Sequence, residues 1–113
     1  MAYASARRAL PVEIIGHRGS PRARRENTLP SFERAFAEGA DAVELDVHAT
    51  RDGIVVIHHD AVTNSRVGEQ GPKIAIADST SEVIRSVPID GGSIPTLAEL
   101  LALAPRSSAS VGI

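Results

Sequence analysis

The sequence predicts an α/β fold, and three stretches predict it. Residues 12–17, VEIIGH, form a short apolar run that gives way to glycine-containing sequence, as a buried strand does. Residues 28–39 place Leu29, Phe32, Ala35 and Phe36 on one face at helical spacing. Residues 41–50 then return to strand-like alternation. A strand, a helix and a second strand in this order make a β-α-β unit, whose crossover is normally right-handed and whose strands are parallel.

Each element carries its own boundary signals. Thr28 is an N-cap residue and Pro30 falls in the first turn, where its missing N–H costs nothing; Gly39 supplies the stop. The link after the second strand is different in kind. Only Arg51, Asp52 and Gly53 separate it from the apolar residues 54–59. A parallel neighbour needs a dozen or more residues of crossover, whereas Asp-Gly is a hairpin signal, so an antiparallel hairpin is expected here. Residues 61–95 are polar and punctuated by Gly and Pro, and read as an insertion or long functional loop with a short helix near 80–86. Thr96 and Glu99 form a capping box opening a helix that runs to Leu103, and residues 110–113 read as the start of another strand. There is no internal repeat and no low-complexity segment.

The chain of 113 residues has room for a single small domain. With 42% hydrophobic and 23% charged residues and a net charge of −2, its composition gives no reason to expect nucleic acid or an anionic membrane as partner. It has no cysteine, which excludes disulfides and thiolate metal sites, and aromatic residues make up only 3%, so the core must come from Val, Ile, Leu and Ala. Neither a secretory leader nor a membrane span is legible, and a cytoplasmic location is the expectation.

The hairpin holds the chemistry. Its sequence, VELDVHATRDGIVVIHHD (residues 43–60), is an apolar alternation interrupted by Glu44, Asp46, His48, His58, His59 and Asp60. Glu44 and Asp46 lie two apart on a strand and therefore share a face. Two carboxylates so close repel unless a cation lies between them, and oxygen donors of this kind suit Mg²⁺ or Ca²⁺. An E-x-D pair on a solvated face would be simple decoration. The apolar Val43, Leu45, Val47, Val55, Val56 and Ile57 argue instead for burial, where unpaired charge is costly. Register decides what meets these carboxylates. A two-residue turn sets Asp46 opposite His59 with Glu44 on the diagonal, at about 5 Å and 7–8 Å between Cβ atoms. A three-residue turn sets His58 opposite Asp46 instead.

The first strand ends in Gly16-His17-Arg18-Gly19, where loops after strand C-termini build ligand sites. An arginine between glycines can approach a phosphate and grip it in bidentate fashion, and a histidine can move protons near neutral pH. Arg22, Arg24 and Arg25 read as solvated loop charges.

Taken in order, H-R-G (17–19), E-N-T (26–28), E-L-D-V (44–47), D-G (52–53), H-D (59–60) and P-T-L-A-E-L (95–100) resemble the N-terminal half of a glycerophosphodiester phosphodiesterase. The resemblance implies the N-terminal portion of a (β/α)₈ barrel, with residues 1–113 an incomplete catalytic domain and 61–95 an insertion within it. It implies hydrolysis of a small phosphodiester to an alcohol and glycerol phosphate. The roles it implies are His17 and His59 as the acid/base pair, Glu44 and Asp46 as ligands of Mg²⁺ or Ca²⁺, and Arg18 as the phosphate contact. Glu26 and Asn27 would stand near the metal, and Asp60 would orient its loop. It favours the register that brings His59 to Asp46 and leaves His48 and His58 structural. Family members are about twice as long, and their third metal-ligating Glu would fall just after Ile113. The isolated chain is therefore expected to lack full activity and to self-associate through exposed sheet edges. Two other functions fit the same residues: a phospholipase D-like activity on lysophospholipid or sphingomyelin, and a non-catalytic metal- or phosphate-binding half-barrel.

Overall fold

The computed structural model describes residues 2–6, 15–19, 25–89, 92–103 and 109–112, with the backbone alone for 2–6, 16, 17 and 109–112. Strands β1 (Ala2–Ala6), β2 (Ile15–His17) and β3 (Ala42–Leu45) come first, with helix α1 (Leu29–Ala37) between β2 and β3. β4 (Val47–Ala49) and β5 (Val55–Ile57) form the hairpin. A 3₁₀ turn at Ile76–Asp78, helix α2 (Ser81–Ser86) and the short strands β6 (Pro88–Ile89) and β7 (Gly92–Ser93) follow. Helix α3 (Leu97–Leu103) and strand β8 (Ala109–Gly112) complete the order.

The β-α-β unit is present: β2 and β3 pair in parallel, with His17 in register with Glu44. The sheet they begin has the order β2-β3-β1-β8 and is mixed, because β1 pairs antiparallel with both β3 and β8. No strand is expected from the sequence before residue 12. β1 shows no long apolar run because its contribution is backbone pairing along the free edge of β3.

α1 begins as its residues dictate. The Thr28 side chain accepts a hydrogen bond from Ser31 N, Pro30 sits in the first turn, and Gly39 takes φ +93° beyond the Glu38 C-cap. Its apolar face delivers Phe32 and Ala35 into a core with Val43, Leu45, Ile57 and Leu100. Val43 and Leu45 point to the helices, so the alternation of the strand turns Glu44 to the opposite face.

The hairpin is antiparallel, but its register is the second of the two alternatives. Val47 faces Ile57, His48 faces Val56 and Ala49 faces Val55. The turn has three residues, closed by Thr50 N donating to Ile54 O at 2.9 Å and Gly53 N to Thr50 O at 3.0 Å, with Gly53 at φ +82°. A type I turn completed by a left-handed glycine explains why Asp-Gly ends a three-residue rather than a two-residue loop. The expectation that His59 lies directly across from Asp46 is thus corrected. His58 occupies that place, and its N–H donates to Asp46 O at 3.0 Å.

The described residues of the 61–95 segment contribute a core of their own. Val56, Ile76, Ile84, Ile89 and Ile94 form a second buried cluster, distinct from the first. Asp52, at the hairpin tip, anchors this segment: its carboxylate accepts from Ser81 N at 2.9 Å and Ser81 Oγ at 2.8 Å, at the start of α2. Hydrogen bonds from Thr50 and Ser81 hold the Asp52 carboxyl at a pKa of about 2. The return stem lies along β5, where Ile57 N donates to Pro95 O at 2.9 Å, and the capping box then opens α3. In that box Thr96 N donates to Glu99 Oε1 and Glu99 N to Thr96 Oγ1, at 3.0 and 3.1 Å. Among the described residues, no helix is long and apolar enough to cross a membrane.

Phe32 is the largest fully buried side chain of the first core. Phe32→Ala should lower unfolding free energy by about 3–5 kcal/mol, read as a shift in the urea midpoint.

Candidate active site

The loop after β2 is held in an unusual backbone shape. Arg18 has φ +56°, a left-handed conformation that a side-chain-bearing residue adopts only when its surroundings impose it. Those surroundings are explicit. Arg18 N donates to Glu44 O, Arg18 O accepts from Asn27 N at 2.9 Å, and Ser31 Oγ donates to the same carbonyl at 3.2 Å. Gly19, at φ +89°, lies so close to α1 that a Cβ there would come within 2.4 Å of Ser31 Oγ and 2.8 Å of the Ser31 carbonyl carbon. H-R-G is therefore a geometric requirement: glycine lets the loop press against the helix, and the pressed loop aims the Arg18 guanidinium.

That guanidinium meets two carboxylates. Arg18 Nε lies 3.0 Å from Asp46 Oδ2, and Arg18 Nη1 donates to Glu26 Oε2 at 3.1 Å. The E-N-T triplet divides its labour. Glu26 pairs with arginine; Asn27, at φ +55° and buried, donates from Nδ2 to Asp46 Oδ2 at 3.1 Å; Thr28 caps α1.

The network continues into the segment after the hairpin through Arg66. Arg66 Nη1 and Nη2 grip Glu26 in bidentate fashion at 2.8 and 3.1 Å, and Arg66 Nε donates to Asp60 Oδ2 at 3.1 Å. Asp60 Oδ1 lies 2.8 Å from His59 Nδ1. Asp60, Arg66, Glu26, Arg18 and Asp46 thus alternate in charge, ending at Asn27 on one side and at the His59 imidazole on the other. Arg25, expected to be a solvated loop charge, is instead largely buried and paired with Glu69, so two adjacent residues of one loop clasp two of the other. A polar cavity of about 310 Å³ opens beside this clasp, lined by Arg25, Asn64, Gly68, Glu69 and Gln70. Arg22 and Arg24 lie outside the described residues.

Burial opposes charge in this network, and the partners decide the outcome. Burial pushes the Glu26 carboxyl up, but hydrogen bonds and charge from Arg66 and Arg18 outweigh it and hold the group below its ordinary 4.5. Burial likewise raises Asp60 and Glu69, and each is nonetheless held low: Asp60 by His59 and Arg66, Glu69 by the Arg66 amide and Arg25. Arg66 is held protonated chiefly by Glu26. His58 behaves oppositely. It is buried, and burial, reinforced by the charge of Arg25, depresses its pKa below 6.5.

Of the residues singled out in the sequence, Arg18, Glu26, Asn27, Asp46, His59 and Asp60 converge in one connected network. Glu44 joins it through the backbone contact with Arg18, and the register of β2 and β3 puts His17 beside Glu44; the His17 side chain lies outside the described set. His48 is peripheral, its Nε2 3.0 Å from the His59 carbonyl oxygen. Sequence reasoning missed Arg66 and misjudged Arg25. The only signal was charge complementarity between 25–26 and 66–69, across forty positions.

Residues 17–113 match the model described as "Glycerophosphoryl diester phosphodiesterase family". A glycerophosphodiester phosphodiesterase of Caldanaerobacter subterraneus is 36% identical, over 80% of this chain and 39% of that protein. The glycerophosphodiester phosphodiesterase of Thermotoga maritima superposes with a TM-score of 0.74 at 33% identity, over 89% of this chain and 42% of its own. A phosphodiesterase of Oleispira antarctica, solved with the product sn-glycerol-3-phosphate, superposes at 0.70 and 30% identity, over 81% and 39%. The chain belongs to the glycerophosphoryl diester phosphodiesterase family, and it spans about two fifths of the length of these relatives.

Two outcomes follow. Gly19→Ala must displace α1 or the loop and should cost about 1–3 kcal/mol in the unfolding midpoint, more than Gly53→Ala, whose Cβ meets nothing within 4 Å. Acid should destabilise the fold in two stages. A group whose pKa is lower folded than unfolded stabilises fully above the unfolded value and loses that contribution as pH falls toward the folded one. His58 therefore starts the loss below about pH 6.5, and Glu26, Asp60 and Glu69 extend it below about 4.5. His58→Gln should abolish the upper stage of a pH series of urea midpoints.

Proposed function

We propose that this chain carries a glycerophosphodiester-hydrolysing centre in the N-terminal portion of a (β/α)₈ barrel. The supporting observation is the convergence of Arg18, Asp46, Asn27, Glu26, Asp60 and His59 where β2 and β3 end, in a chain matching the family from residue 17 onward.

The donor chemistry fits a divalent cation. Glu44 and Asp46 are carboxylates, and the buried Asn27 Oδ1 beside Asp46 has no hydrogen-bond partner. All are hard oxygen donors of the kind Mg²⁺ and Ca²⁺ take. Among the described residues there is no group of three or more His, Cys, Asp or Glu side chains placed to hold a metal, so these residues would supply part of a coordination shell. The charge balance points the same way: three carboxylates (Glu26, Asp46, Asp60) pair with two guanidiniums (Arg18, Arg66), an unfavourable setting for an anionic phosphodiester without a further cation. When bound, the ion supplies charge neutralisation at the non-bridging phosphate oxygens.

The rest falls to the protein. Arg18 holds the phosphate, its guanidinium turning from Asp46 and Glu26 to an oxyanion of equal charge and matching bidentate geometry. His17 and His59 divide the proton work, one taking the proton of the attacking hydroxyl or water and the other delivering one to the departing alkoxide.

Calorimetric titration of the chain with glycerol 3-phosphate in Mg²⁺ or Ca²⁺ should show binding that chelator abolishes and that Arg18→Ala weakens about ten- to a hundredfold. His59→Ala should lower turnover of a glycerophosphodiester about 10²–10⁴-fold. Wild-type protein that binds no glycerol phosphate, or a His59→Ala variant with undiminished turnover, would remove this reading.

A further inference from the structure

His59 Nδ1 is contested. It lies 2.8 Å from a carboxylate oxygen of Asp60 and 3.2 Å from Nη2 of Arg66. A guanidinium only donates and a carboxylate only accepts, so one ring nitrogen cannot hydrogen-bond to both. A proton on Nδ1 satisfies Asp60; a lone pair on Nδ1 satisfies Arg66. The shorter contact is to the carboxylate. Nη2 has its other demand met by Glu26 Oε2, and Nη1 and Nε are engaged by Glu26 and Asp60, so Arg66 needs nothing further from the ring. Asp60 is also fixed in place: Oδ2 accepts from Arg66 Nε at 3.1 Å and from Ser65 Oγ at 3.3 Å, which leaves Oδ1 for the imidazole.

We infer that Arg66 is a positioning residue for His59: clamped on Glu26, it holds Asp60 so that Oδ1 accepts a hydrogen bond from Nδ1–H, and Nε2 is left as the nitrogen presented to substrate. The inference rests on the reading of His59 as a proton-transfer group and adds which nitrogen works and what fixes it. Glu26 is the anchor, since its bidentate grip sets the plane of the guanidinium, and Glu69 secures the loop by accepting from the Arg66 backbone N–H at 3.0 Å. Lysine could not replace this arrangement, because a point charge cannot span Glu26 and Asp60 in one plane.

The tautomer is directly observable. The ¹⁵N shifts of His59, recorded on the 113-residue chain at a pH where the imidazole is neutral, report which nitrogen carries the proton, with or without turnover. Wild-type protein should show the Nδ1–H form in excess. In Arg66→Ala and in Asp60→Asn the ratio of Nδ1–H to Nε2–H should fall about tenfold, the loss of one charge-assisted hydrogen bond. Arg66→Lys should fall between. A merely structural role for Arg66 would lower the unfolding midpoint and leave the tautomer ratio unchanged. That result, in a variant with an otherwise native amide spectrum, overturns the inference; if Arg66→Ala does not fold, Arg66→Lys decides on the same criterion. Wild-type protein in the Nε2–H form also overturns it. Failure of the hydrolytic reading would appear separately, as wild-type protein that binds no glycerol 3-phosphate while the tautomer shift in Arg66→Ala is intact.

Discussion

Two guanidiniums share the carboxylate of Glu26, and the placement of the remaining polar groups at this end of the sheet follows from that. Arg18 reaches it from the loop after β2, and Arg66 from the segment beyond the hairpin. With Glu26 between them, each arginine presents a further donor to a second carboxylate, Arg18 to Asp46 and Arg66 to Asp60. Glu26 is only partly exposed, which strengthens these pairs beyond what solvent-facing ones achieve. The same partial burial would make a single unpaired member expensive.

This arrangement explains why the backbone beneath it is so constrained. Arg18, Asn27 and Asn64 are the only non-glycine residues with positive φ among those described, and all three lie in or beside the network. Strain at Arg18 and Asn27 is offset by the hydrogen bonds that tie them to each other, to Glu44 and to Asp46. Asn64 lies between Thr63 and the loop bearing Arg66, and its side chain bonds to the carbonyls of Pro72 and Pro88. Local backbone energy has been exchanged for fixed side-chain direction, which is what a site must have before it can discriminate a transition state.

How much of this the sequence disclosed depended on the range of each signal. The starts of α1 and α3 were legible because caps act over three or four residues: Thr28 with Ser31, Thr96 with Glu99. The parallel pairing of β2 with β3 was legible from the length of their connection. The hairpin was legible, but not its register, since Arg-Asp-Gly serves two- and three-residue turns alike and the choice rests on one left-handed glycine. His59 joins the network without facing Asp46 because it lies beyond β5, where strand parity no longer governs. Arg66 left no local mark at all, since its partners Glu26 and Asp60 belong to different loops and only the folded chain brings them together.

Val56 and Ile57 are neighbours on β5, yet each is fully buried in a different cluster. One strand of three residues is thus a party wall between two interiors: the sheet-and-helix body on one side, the cover that supplies Ile76, Ile84, Ile89 and Ile94 on the other. Because each interior is filled by its own set of side chains, a substitution in one cluster leaves the packing of the other in place. The aspartate just past that wall is tied to the cover through Arg66 and Ser65, so the direction of the neighbouring imidazole is set from the cover's side.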